Sequence, residues 1–165
     1  MKHPLISFIQ LDTLLNKGVV EEILKTNEYS TRYGLILTHA DAIELVETRN
    51  EALCANGRIE ISSATIEKII DAFCNSSYIT QQDYASTLHE LLETFYYMKN
   101  ETLDSIPDDE LIELMKNYFE NRCKGSLELL KGREMEKLAR NIRYGVPDYN
   151  NVEEKEDTPD EEEEF

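Results

Sequence analysis

The sequence predicts an all-α protein, an irregular bundle of about six or seven helices with room for one small two-stranded β-ribbon. Three observations carry this. Polar capping residues and glycines punctuate the chain at helix-length intervals. Apolar residues recur at the 3.6-residue period between those marks. No long run alternates apolar and polar residues as strands do.

The elements follow in order. Residues 5–16 carry a short, weaker helical pattern. "VVEEILKTNEYSTRYG" reads as a helix ending before Gly34. "THADAIELVETRNEALCANG" opens on Thr38 with Asp41 three residues on, a capping-box spacing, and stops at Gly57. "SSATIEKIIDAFCNSS" starts at Ser62 or Ser63 and presents Ile66, Ile69, Ile70 and Phe73 on one face. The longest helix starts at Thr80 with Asp83 and buries Tyr84, Leu88, Leu91, Leu92, Phe95 and Met98. The next is capped by Ser105, with Pro107 in its first turn, and stops at Gly125. The last runs from Ser126 to Gly145. The stretches "LILT" (35–38) and "RIEI" (58–61) look extended and flank one helix, which allows them to pair. No internal repeat and no sustained heptad occurs.

The 165 residues suit one compact domain, expected over residues 1–145. From Val146 the composition changes to prolines, asparagines and acids, so residues 146–165 are expected to be a disordered acidic tail. The formal net charge of −17 argues against direct binding to nucleic acid or to an anionic membrane. No stretch reaches the ~20 apolar residues of a membrane span, and the N-terminal apolar run is too short for a signal peptide. A cytoplasmic protein is expected. Cys54, Cys74 and Cys123 are far apart and odd in number, which fits buried free thiols better than disulfides or zinc.

Charge is unevenly distributed. Residues 1–121 carry 9 Lys+Arg against 21 Asp+Glu, residues 122–145 carry 7 against 3, and residues 146–165 carry 1 against 10. Arg133, Lys137 and Arg140 share one ridge of the last helix. This ridge is either a solvated face or a docking surface for the acidic body, the acidic tail or an anionic partner. Two arginines interrupt apolar stripes, Arg49 between Ala42, Leu45, Val46 and Leu53, and Arg122 beside Tyr118 and Phe119. Arg122 can snorkel from the last turn. Arg49 is mid-helix, so an ion pair is expected, to Glu90, Glu93 or an acid on a neighbouring helix. The other reading is a pocket in which Arg49 and Arg122 hold an anionic ligand. Tyr97 points nearly opposite its helix's apolar face, and is either an ordinary exposed tyrosine or the mark of a contact surface with a partner or a second copy.

Catalytic signatures do not emerge. His3, His39 and His89 are scattered, and "HELLE" (89–93) ends in Glu where a helical zinc motif has His. "PDDE" (107–110) fits helix N-terminal stabilisation and lacks calcium-loop spacing. No metal, cofactor or catalytic residue is predicted.

The segments "LTHADAIELVETRN", "GRIEI", "FYYMKNETLDSIPDDELIELM" and "GSLELLKGREMEKLAR" resemble an uncharacterised family of small bacterial cytosolic proteins, a domain of unknown function, over about residues 19–145. The resemblance implies a mostly helical domain and carries no activity. The leading functional reading is a non-catalytic protein-interaction or regulatory module, more binding protein than enzyme, whose partner is another protein or a second copy. The alternatives are a small anionic-ligand binder or enzyme with an inter-helix pocket around Arg49, and an acidic mimic of nucleic acid.

Overall fold

The computed structural model describes residues 16–145. Most of the expected helix over 5–16, and the whole of the expected acidic tail, lie outside the described residues. Helix α1 covers residues 16–25. After Thr26 come α2 (Asn27–Ser30) and a 3-10 turn (Thr31–Tyr33). The single helix read up to Gly34 is thus broken at Thr26, whose hydroxyl donates to the Ile23 carbonyl at 2.6 Å. Helix α3 (His39–Cys54) starts on the predicted capping box, with Thr38 and Asp41 exchanging bonds. Helix α4 (Ala64–Phe73) follows an extended link, and α5 (Tyr84–Glu101) follows the Thr80–Asp83 box and one 3-10 turn. Helix α6 (Asp108–Asn117) has Pro107, not Ser105, at its N-cap position, with no side-chain capping bond.

The last two helices each contain a π turn, at Tyr118–Arg122 and at Leu130–Glu134. The second lies between the single turn α7 (Leu127–Leu129), capped by Ser126, and α8 (Met135–Arg143). A π turn accommodates one extra residue in the helical ladder. Gly125 separates the two helices with φ +83°, and a Cβ there would lie 2.5 Å from that of Tyr78, so only glycine fits.

Helix α5 is the axis of the bundle. Helix α3 packs along it most extensively, α4 and α8 also touch it, and α4 packs on α6. The predicted stripes form one core: Leu45 and Val46 of α3, Ile66 to Phe73 of α4, Leu88 to Met98 of α5, and Leu111 to Phe119 of α6 and its π turn. Phe73 and Phe119 meet edge to face at 5.6 Å.

The β-ribbon is a correction: no strand occurs among the described residues. Residues 35–38 are extended, but side-chain amides bracket them. Asn27 accepts from the Leu37 N–H at 2.8 Å and donates to its carbonyl at 3.0 Å. Gln81 does the same for Ile36, at 2.7 and 3.0 Å. Two amides thus satisfy the groups that a second strand would have paired. Cys74 and Cys123 are buried as expected, whereas Cys54, at the end of α3, is exposed.

Candidate functional site

The mid-helix position of Arg49 on α3 drives its side chain into the interior, where only 1% remains exposed. Three acceptors meet it. Nη1 donates to the Ser62 carbonyl at 2.6 Å, Nε donates to Asn50 Oδ1 at 2.8 Å, and Glu60 Oε1 lies 3.5 Å from Nη1. Tyr96 donates its hydroxyl to the same Glu60 oxygen at 2.9 Å. Burial, together with the Glu60 charge, pushes the Tyr96 phenol well above its ordinary range. The predicted ion pair therefore exists, but its acid is Glu60 on the 58–61 link, not Glu90 or Glu93. Those two face other partners, Lys131 at 2.8 Å and His89 at 3.5 Å.

The last helix lies against α5 through residues beside the predicted ridge. Lys131 pairs with Glu90 at 2.8 Å, Tyr97 donates to Glu136 at 2.7 Å, and Arg143 pairs with Glu101 at 2.6 Å. Both sequence numbers rise together from rung to rung, so α8 runs parallel to α5. Tyr97 stays partly exposed while tying the two helices. Its phenol is pushed up to about 12, first by the bond to Glu136 and then by burial. Arg133 donates to Glu134, its buried neighbour, at 2.7 Å and to the Arg122 carbonyl at 3.3 Å, so the two π turns touch. Lys137 is partly buried and Arg140 exposed on the same helix. The three ridge residues do not converge with Arg49.

Thr48, His89 and Glu93 stand in the order of a nucleophile, base and orienting acid. Thr48 Oγ1 is 2.6 Å from His89 Nδ1, and His89 Nε2 is 3.5 Å from Glu93. The Thr48 hydroxyl already donates to the Glu44 carbonyl at 2.9 Å. That bond is the ordinary back-bond of a helical threonine, and the roles at the Thr48–His89 contact follow the imidazole tautomer. Among the described residues no group of three or more His, Cys, Asp or Glu could hold a metal ion, and no helix is long and apolar enough to cross a membrane. A groove of about 360 Å³ lies between α1 and α3, floored by Val20, Ile43 and Val46. A polar one of about 490 Å³ lies beside Lys116 and Glu120. Arg49 and Arg122 line neither.

The least expected arrangement lies where α5 ends. Asp104 N–H donates to the Lys99 carbonyl at 2.8 Å and Leu103 N–H to that of Asn100 at 3.1 Å, the paired bonds of a Schellman cap. Such a cap calls for glycine, yet Leu103 holds φ +53° and Asp104 φ +60°. Leu103 is also 86% exposed, so packing does not offset the strain. Lys99, buried, clamps the turn by donating to the Ile106 carbonyl at 2.6 Å and pairing with Asp108 at 2.7 Å. Arg58 reaches Asp104 at 3.3 Å and brings the 58–61 link against this turn. That link inverts the usual alternation. Glu60 turns inward to Arg49, while Ile59 and Ile61 are 88% and 62% exposed.

A family model described as a family of unknown function (DUF6323) matches residues 22–148. The chain belongs to this family. The Arg49 cluster, the α5–α8 seam and the turn at Leu103 fall within the match. No curated protein and no solved structure matches the chain. Sequence reading of this DUF6323 chain missed Leu103, Ile59 and Ile61. The available signal was negative: α5's apolar stripe ends at Met98, and no glycine stands where its stop is needed.

Proposed function

We propose that this chain is a non-catalytic protein-interaction module of a bacterial cytosol, and that its docking surface is the face carrying Leu103, Ile59 and Ile61. The observation that supports it most is Leu103. A leucine in left-handed backbone costs about 1–2 kcal/mol relative to right-handed geometry. Exposed as it is, it recovers nothing by burial within the chain, whereas a partner covering it would repay that strain. Large exposed apolar groups held in a fixed frame are the anchors around which interfaces concentrate their energy. Asp104 stands beside this face, and the chain's net charge is −17, so the partner offers apolar anchors with a basic surround.

The anionic-ligand reading around Arg49 has less support, because Ser62, Asn50 and Glu60 already engage its guanidinium. Of the basic ridge, Arg133 is held by Glu134 and by the Arg122 carbonyl.

The test is capture of partners by the full chain, identification by mass spectrometry, and re-measurement with the purified partner. The expected result is at least a tenfold loss of affinity for Ile59→Ser/Ile61→Ser, with the melting temperature retained. A partner whose affinity ignores that pair would overturn the assignment of the surface. No binding protein, together with thermal stabilisation by an anionic metabolite that Arg49→Ala abolishes, would overturn the interaction reading itself.

A further inference from the structure

The docking face has an internal directionality that specifies how a partner would bind it. Residues 58–61 carry no helical or turn assignment. Their side chains alternate with the period of a strand: Arg58 to Asp104, Ile59 outward, Glu60 to Arg49 and Tyr96, Ile61 outward. The backbone N–H and C=O groups of Ile59, Glu60 and Ile61 have no hydrogen-bond partner among the described residues. Both outward residues are β-branched, the type that packs best on a pleated surface. The segment is therefore an extended edge whose backbone groups the described chain leaves unpaired. The stretch at 35–38 offers a contrast, since Asn27 and Gln81 cap its edge groups.

We infer that residues 58–61 accept an extended segment of another protein by strand addition, the backbone ladder supplying register and Ile59 and Ile61 the apolar contacts. This rests on the interaction reading given above and names its mode and partner class. The incoming segment is apolar at alternate positions and basic between them. The basic character follows from Glu60 and Asp104 at the edge and from the net charge of −17. The same charge disfavours a second copy as the occupant. Two copies pairing through this edge would also bring both Glu60 faces, and hence both helical bodies, to one side of a two-stranded ribbon whose strands lie about 4.8 Å apart.

The experiment titrates the full chain with acetyl-Lys-Val-Lys-Val-Lys-Val-Lys-amide and follows backbone amides by NMR and hydrogen exchange. A peptide of the same composition with its lysines and valines in two blocks is the control. Strand addition predicts exchange slowed at least tenfold at alternate positions of 59–61, and at least tenfold weaker binding of the block peptide. Leu103→Gly leaves that protection in place while weakening the natural partner, which separates the ladder from the apolar patch. Shifts at Ile59 and Ile61 without slowed exchange would overturn the strand mode and leave the interaction reading standing. No binding of the alternating peptide, while a natural partner still depends on Ile59 and Ile61, would overturn both the mode and the partner class.

Discussion

Removing the Arg49 guanidinium would leave the Ser62 carbonyl and the inner oxygen of Glu60 facing a void among packed side chains. Breaking a buried pair by deleting one partner costs about 3–5 kcal/mol; Glu60 keeps some solvent, so Arg49→Ala should cost about 3 kcal/mol in urea unfolding. Glu60→Gln should cost less, because the amide oxygen can still accept from Tyr96. Leu103→Gly should move the other way. It exchanges left-handed strain for backbone entropy and loses no packing, for a net gain of about 0.5–1 kcal/mol. A stabilising change that weakens partner binding would mark Leu103 as a residue whose use lies outside the chain's own stability. The apolar stripes of α3, α4, α5 and α6 were legible residue by residue, because 3.6-residue spacing leaves little choice of face. The partner of Arg49 was not, because Glu60 lies on a link whose inward side is set by tertiary contacts.

At the scale of elements, two side-chain amides do the work expected of a strand. Leu37 is buried and its N–H and C=O depend on Asn27, so Asn27→Ala should cost about 2 kcal/mol. Ile36 is exposed, water can replace Gln81 there, and Gln81→Ala should cost under about 1 kcal/mol. Equal losses in thermal unfolding would contradict this account. The two stretches of four residues looked alike in sequence because local extended propensity says nothing about what bonds their edges. The capping boxes at Thr38 and Thr80 were legible because they are local, whereas the break at Thr26 and the π turns leave no periodic signature. The α5–α8 rungs give a pH prediction. Tyr97 titrates near 12 in the fold against an ordinary 10, so its bond to Glu136 stabilises the protein below pH 10 and is lost as pH rises toward 12. Tyr97→Phe should flatten part of the alkaline loss seen by circular dichroism. The other raised tyrosines, Tyr29, Tyr84 and Tyr96, keep the remainder.

For the whole molecule, the segregation of charge that stands out in the sequence has a structural use: the basic last helix lies on the acidic axis of the bundle. Long-range screening therefore weakens two opposing terms at once, the net repulsion of an acidic chain and the attraction across the α5–α8 seam. The π turn at Leu130–Glu134 sets that seam in phase. A π turn takes up one surplus residue, so deleting Gly132 should let the backbone relax into ordinary α-helix while everything after it keeps its facing. Arg143 would still face Glu101, and Met135 and Leu138 would stay in the core. Inserting a second residue there would exceed what one π turn absorbs and turn α8 by about 100°, so lengthening by one should do far more harm than shortening by one.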